Sequence, residues 1–285
     1  MILLIIKLSV HWAVMMRHPH KPGSGIPGRA GGEENLTIKA TQDAYGHMMY
    51  DHLHNRGGYE IIERNDGFFS ISAGPKMYFS PFEEWMTIEK QAMRHVEGEI
   101  LDIGCGAGRH ALYLQDEGHP VTAIDASPLA VQVSKARGVK NAQALNITRL
   151  SRRLGRFDTV LMMGNNFALL GTPKRAKWLL RRFAGMTSPA GKIIAFSRDP
   201  YQTDIPEHIE FHAWNKEHGR MAGEARIRVR YKKFVTPWID FLMVSQQEMV
   251  AILAETPWQV STFLDDSQGV YAAILTKQGN EKKRA

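Results

Sequence analysis

One short stretch limits the folds open to this chain more than any other: Ile100-Leu101-Asp102-Ile103-Gly104-Cys105-Gly106-Ala107-Gly108. An apolar run that ends in alternating glycines reads as a buried parallel strand breaking into a tight turn. Glycine permits both the sharp bend and the close approach of a ligand, because it has no side chain. A helix is predicted over 109–117, closed by Gly118, so its free N–H groups face that turn. In dinucleotide enzymes such a loop receives a pyrophosphate. Here the spacing is Gly-x-Gly-x-Gly, and Asp102 stands just ahead of it. A carboxylate there repels a pyrophosphate and suits a ligand with an ammonium group. A second acid, Asp125, ends the next strand about twenty residues on, where an acid accepts from both ribose hydroxyls. The alternative is a tight strand-to-helix turn with two solvent-facing acids.

The pattern around the loop is regular. PVTAID reads as a second strand, and SPLAVQVSKARG as a helix with Ser127 as N-cap and Pro128 in its first turn. NAQAL, FDTVLMMG and GKIIAFS are three more strands, with a helix from Pro173 before the last of them. Strands alternating with helices at this spacing predict a doubly wound α/β sheet, mostly parallel. Toward the carboxyl end, SQQEMVAILAET is a helix with a Ser245/Glu248 capping box, and WQVSTFLD and GVYAAILTK are two closing strands.

Two segments fall outside this framework. The stretch 36–84 is mixed and aromatic, with a short hairpin predicted around Asn65-Asp66-Gly67. Pro81 and Glu83-Glu84 then open a helix predicted to run to His95. The stretch 199–223 reads as irregular, followed by EARIRVRYKKF and WIDFLMV as an antiparallel hairpin. The expected organisation is a disordered leader and linker over 1–35, an amino-terminal lid over 36–84, a ligand-binding domain over 85–278 with an insertion at 199–240, and a charged tail over 279–285. The leader MILLIIKLSVHWAVMM is short of the ~20 apolar residues of a membrane helix and lacks a signal peptide's basic flank. A poorly ordered leader is the plain reading, a membrane anchor the sharper one; no stable membrane association is expected.

The net charge of +7 on 285 residues asks whether the partner is acidic. Its clusters are Lys174, Arg175, Lys177, Arg181 and Arg182, then Arg226 to Lys233, then Lys282, Lys283 and Arg284. Arg226, Arg228, Arg230 and Lys232 share one strand face by their period of two. A phosphate-binding ribbon has this pattern, and so has an edge strand guarded by charge. Tyr231 falls on the opposite face and does not interleave, which favours the edge strand. The single cysteine, Cys105, excludes an intrachain disulfide and a cysteine-rich zinc site, and fits a reducing cytoplasm. No metal site is predicted.

ILDIGCGAGRHALYL followed by VTAIDASPLAV resembles the first two motifs of class I S-adenosylmethionine-dependent methyltransferases, and the likeness runs in order from about Glu83 to Lys277. It implies a Rossmann-like sheet of seven strands whose last strand is antiparallel. It implies S-adenosylmethionine as cofactor, lined by Gly104, Cys105, Gly106 and Gly108. Asp102 then lies near the methionine amino group, Asp125 holds the ribose, and Ala126 packs on the adenine. Asn146, beside Ile147, matches the residue that faces the adenine amino group; it reads equally as a turn residue. Met163 and Gly164 shape the wall near the methyl group, while Asn165 and Asn166 are polar groups at a strand's carboxyl end. Asn165 is either a helix cap or a substrate-orienting group.

Methyl transfer asks the protein to hold nucleophile, methyl and sulfur in line, with a base only where the nucleophile arrives protonated. The Asn/Asp-Pro-Pro-Tyr/Phe signature of adenine and glutamine N-methylation is missing; GNNF stands there. Cys105 is the only thiol and sits inside the glycine loop, which excludes cysteine-based cytosine methylation and multi-thiol arsenite sites. A small-molecule acceptor is the main expectation. RNA is the alternative, from the basic clusters, and a non-catalytic S-adenosylmethionine-binding protein is another. A nicotinamide-dependent dehydrogenase is disfavoured by Asp102 and the glycine spacing. Acceptor-facing candidates are Tyr45, Tyr50, Asp51, His52, His54 and Tyr78 in the lid, with Tyr78 foremost, and His208, His212 and Trp214 in the insertion. The catalytic residues and the oligomeric state are not legible in the sequence.

Overall fold

A computed structural model describes residues 38–266 and 268–279. The expected leader and most of the charged tail therefore lie outside the described residues. The chain enters through helix α1 (Ala44–Leu53) and a hairpin of β1 (Ile61–Arg64) and β2 (Phe69–Ile71). Helix α2 (Thr87–Met93) precedes β3 (Ile100–Ile103), α3 (Arg109–Asp116), β4 (Val121–Asp125), α4 (Pro128–Ala136) and β5 (Ala142–Ala144). Then come β6 (Phe157–Met162), α5 (Pro173–Met186), β7 (Thr187–Arg198) and α6 (Pro206–Glu217). The chain ends with β8 (Glu224–Tyr231), β9 (Phe234–Val235), β10 (Ile239–Leu242), α7 (Gln246–Leu253), β11 (Trp258–Asp265) and β12 (Val270–Lys277).

Seven strands form the main sheet, in the order β11-β12-β7-β6-β3-β4-β5. β3 is parallel to β4 and β6, β4 to β5, and β6 to β7, while β12 runs antiparallel to both β7 and β11. This is the doubly wound Rossmann-like sheet that the alternating pattern predicts. All four residues of β3 are buried, as a strand covered by helices on both faces requires. Period two splits its side chains between two cores. Leu101, Ile103, Val160, Met162, Ile193 and Ala195 pack with Leu179, Phe183, Met249 and Trp258 from α5, α7 and β11. Ile100, Leu161, Ile194 and Phe196 face the other way, against Ile88 and Ala92 of α2, Ala111 and Leu114 of α3, and Val131 of α4.

The second sheet unites the two segments left over in the sequence. Its order is β10-β8-β1-β2, with the short β9 on β8. β8 is a central strand, antiparallel to both β1 and β10, which corrects the edge-strand reading of its charged face. The charges there are consumed internally. Glu63 on β1 meets Arg228 at 2.7 Å and Arg230 at 2.6 Å, Asp240 on β10 meets Arg226 at 3.4 Å, and Lys232 pairs with Asp51. The arginine pairs are cross-strand, the sheet counterpart of charge pairs on a helix, while Lys232 reaches the helix α1.

Two local expectations need correction. The helix predicted from Pro81 to His95 is two pieces: a single 3-10 turn over Phe82–Glu84, then α2 from Thr87. Trp85 breaks it, with ψ at 155°, its indole N–H donating to Ser80 O at 3.0 Å. Residues 199–223 are not irregular but contain the twelve-residue α6, with Pro206 at its first turn. Its apolar residues do not form one stripe, and Ile209 is exposed, so periodicity does not reveal it. Fixed polar contacts hold it instead. Buried Asn215 donates to Ala222 O and Glu224 O, and Arg64 of β1 donates to Glu207 O and lies over the Phe211 ring.

Candidate active site

The strand β3 runs straight into the glycine loop, where Gly104, Gly106 and Gly108 have φ of 73°, 54° and 80°. L side chains rarely adopt that left-handed region. Space is short as well: a Cβ on Gly104 meets Asn166 Nδ2 at 2.6 Å, and one on Gly106 meets Met49 Cε at 3.1 Å. Asn166 has a clear structural task, since its amide donates to Ile103 O at 2.8 Å and Gly104 O at 3.1 Å. It ties the turn after β6 to the end of β3.

Asp102 is fully buried at the carboxyl end of β3, and its Oδ2 has no hydrogen-bond partner. Burial first, and the Asp125 charge second, push its carboxyl up to about 7, with Arg109 acting in the opposite direction. Asp125 accepts from Gly106 N at 2.9 Å and Ser127 N at 2.8 Å, so it fixes the loop from the neighbouring strand. Burial raises it to about 6 against those hydrogen bonds. Two carboxyls a strand apart, Asp102 buried with an orphaned oxygen and Asp125 half-buried, fit a cationic ligand.

The other predicted residues are distributed around this loop. Ala126 and Ile147 are half-buried beyond the ends of β4 and β5, and Met163 is buried beyond β6. Burial raises the Cys105 thiol, so it is an inert core group rather than a nucleophile. Asn146 caps a 3-10 turn, and its Oδ1 accepts from both Thr148 N at 3.0 Å and Thr148 Oγ1 at 2.9 Å. Both acceptor directions of that oxygen are taken, which leaves the Nδ2 donor free. Asn165 is left-handed at φ 69°, and its buried Oδ1 has no partner.

The amino-terminal segment expected to be a lid packs on the loop through α1. Asp43 caps α1 by accepting from Gly46 N at 3.0 Å, and also accepts from Ser127 Oγ at 2.8 Å and Leu129 N at 3.1 Å. It therefore clamps α1 to the start of α4, beside Asp125. Gly46 makes that approach possible, because a Cβ there falls 2.3 Å from Ser127 Oγ. Met48, Met49, Tyr45 and Tyr78 then pack with Ala107 of the loop and Val229 and Tyr231 of β8 in one apolar cluster. Tyr45 and Tyr78 meet edge to face at 5.2 Å.

Several lid and insertion candidates serve the fold. Asp51 accepts from Tyr231 Oη at 3.0 Å and pairs with Lys232 and Arg56. Tyr50 packs on His54, and His52 on Phe79. His208 and His212 lie among Phe68, Tyr201 and Phe211, and Trp214 stacks on His218; none of these partners belongs to the loop. Burial lowers both histidines, His212 to about 4. Sequence reasoning missed the clamp at Asp43, although an Asp before a helix is a readable cap. It also missed Arg109, whose guanidinium pairs with buried Glu89 and covers Trp85, and Glu60, which no local motif marks.

A methyltransferase domain family matches residues 100–191, the span from β3 into β7. A methyltransferase of Bacteroides fragilis, solved with S-adenosyl-L-homocysteine, superposes with a TM-score of 0.73 over 85% of this chain and 97% of its own, at 28% identity. Residues 100–191 are thus a methyltransferase domain, on the fold of a class I S-adenosylmethionine-dependent methyltransferase. It is 38% identical over 72 residues to a 2-heptyl-1-hydroxyquinolin-4(1H)-one methyltransferase of Mycobacteroides abscessus, covering 23% of this chain and 32% of that protein. It is 37% identical over 86 residues to a ubiquinone biosynthesis O-methyltransferase of Methylocella silvestris, covering 28% and 34%. The chain thus spans about a third of the length of the curated relatives it matches. Among the described residues, no helix is long and apolar enough to cross a membrane.

Proposed function

We propose that the protein transfers a methyl group from S-adenosylmethionine to a small-molecule acceptor. The observation that carries this reading is the orphaned, fully buried Asp102 oxygen beside a side-chain-free loop. A buried carboxyl of this kind is satisfied by an ammonium and not by a phosphate. When bound, the cofactor supplies a methyl carbon on a positively charged sulfur. The residues of the chain bind and orient it. Asp102 takes the methionine ammonium, and Gly104, Cys105, Gly106 and Gly108 let the backbone approach. Asp125 takes the ribose hydroxyls with the acceptor directions left by Gly106 and Ser127. Ala126, Ile147 and Met163 offer apolar walls, and the free Nδ2 of Asn146 is a donor for an adenine ring nitrogen. Asn165 faces the acceptor side as a hydrogen-bond acceptor.

A small acceptor is supported by the lid, which packs α1 and the second sheet directly over the loop. The β8 arginines are paired within that sheet, which weakens the case for RNA. The lone cysteine suits a reducing cytoplasm as the place of work. Calorimetry with S-adenosylhomocysteine tests the reading. Wild type binds it, and Asp102→Ala and Asp125→Ala each weaken it by about 100-fold, the range for losing a charged hydrogen-bond partner. Normal affinity in both variants refutes the assignment.

A further inference from the structure

Among the described residues of the lid, Glu60 is a buried carboxylate outside every ion pair. It lies just ahead of β1, and its backbone carbonyl accepts from Ser72 N at 3.1 Å across the hairpin, so its position is set by the second sheet. The residue is 0% exposed and in no ion pair; neither carboxylate oxygen is in a well-formed hydrogen bond, and the polar group that reaches it is the Tyr78 phenol. The ion pairs of the lid and of β8 go to other acids: Arg64 pairs with Asp66, Arg228 and Arg230 with Glu63, and Lys232 and Arg56 with Asp51, while Arg109 of the loop pairs with Glu89. What faces Glu60 is aromatic. Burial first, and the Glu60 charge among the other causes, hold the phenols of Tyr45 and Tyr78 protonated. Tyr45 also feels the charge of Asp125, so one ring is within reach of both the lid carboxylate and the loop.

A carboxylate taken out of water with no compensating charge is strongly unfavourable. Folds keep such groups where a ligand completes them. A hydroxyl-bearing acceptor leaves the negative charge uncompensated. An ammonium cancels it, donates to the carboxylate and the phenol oxygens at once, and is attracted to the two ring faces. We propose that Glu60 binds the acceptor, and that the acceptor is a basic amine methylated at nitrogen. This rests on the methyl-transfer reading above. Full burial means that the amine reaches Glu60 only when the lid elements separate. In the closed site the ammonium gives one proton to a Glu60 oxygen. The freed nitrogen lone pair forms the bond to the methyl carbon as the carbon–sulfur bond breaks, and that bond's pair stays on sulfur. The products are a methylated ammonium and a neutral thioether, and the Glu60 proton leaves to water.

The test uses the full chain with benzylamine and its neutral counterpart, benzyl alcohol, as probes at pH 7.5. S-adenosylhomocysteine is titrated first; if it does not bind, the methyl-transfer reading falls, and the Glu60 proposal with it. On protein saturated with that compound, benzylamine is expected to bind at least about ten times more tightly than benzyl alcohol. Glu60→Gln is expected to abolish that preference while shifting S-adenosylhomocysteine affinity by less than about two-fold. Glu60→Asp, which keeps the charge, retains the preference for the amine and serves as the control if the Gln variant does not fold. Equal binding of the two probes, no binding of either, or an unchanged preference in Glu60→Gln each overturn the proposal.

Discussion

The glycine loop and the lid are two acidic regions that meet face to face, and they were built in opposite ways. The loop is local: Asp102, three glycines and Asp125 fall within two strands and one turn, and the backbone supplies most of the polar contacts. The lid is assembled from distant pieces. Tyr45 comes from α1, Glu60 and Tyr78 from either side of the hairpin, and the covering strand β8 from more than halfway along the chain. A local site can be specified by a motif, whereas an assembled one depends on how two sheets dock. The same contrast separates recognition of the constant ligand from recognition of the variable one.

The docking itself is the first place to break this comparison. Asp43→Ala removes three hydrogen bonds of a buried carboxylate. At roughly 1 kcal/mol each, the cost is about 3 kcal/mol, or a melting temperature lower by about 6–12 °C. If loop and lid are separable, S-adenosylhomocysteine affinity falls by less than about ten-fold while benzylamine binding is lost. Equal loss of both, measured by calorimetry, would show that the loop has no independent existence.

A smaller effect, of opposite sign for folding and binding, comes from pH. Asp102 is held up at about 7 by burial and Asp125, and Asp125 at about 6 by burial. In the unfolded chain such groups ionise near about 4. Between those values the folded protein keeps protons that the unfolded chain has lost. The contribution of these groups to stability is thus fully present below about pH 4 and is lost as pH rises toward 7. Melting of the ligand-free protein is expected to become easier from pH 5 to 7.5, and Asp102→Asn flattens that slope. S-adenosylhomocysteine affinity rises over the same window, because the ionised acids are the forms that hold an ammonium. A flat melting profile in wild type would refute the burial account.

The least effect is expected at the β8 surface. Arg230 is two-fifths exposed, and its pair with Glu63 is shared with Arg228. Arg230→Ala therefore changes stability by less than about 1 kcal/mol. Protein titrated with single-stranded RNA is expected to show no steeply salt-dependent binding. A steep salt dependence that Arg230→Ala reduces would restore nucleic acid as the acceptor.

Much of the main domain was legible because its signals are short-range. The capping box at Ser245 and Glu248, the cap at Ser127 and the proline starts of α4 and α5 each appear where the sequence puts them. Asp102 and Asp125 were legible for the same reason, since a strand end followed by glycines places its own acids. The failures share a cause too. α6 lacks an apolar stripe and is held by Asn215 and Arg64, whose partners lie elsewhere in the chain. The arginines of β8 were read as an edge because nothing local announces β1 as their neighbour.

By itself, the sequence determined the doubly wound sheet, the bent glycine turn and the two carboxyls beside it. Alternating apolar runs, caps and glycines act over a few residues and hold their meaning in any context. Only the tertiary structure decided that 61–71 and 224–242 make one sheet, that Asp43 clamps it down, and that Glu60 ends up buried with no cation. Strand pairing across more than 150 residues, and the desolvation that follows from it, are properties of the packed chain. No window of sequence contains them.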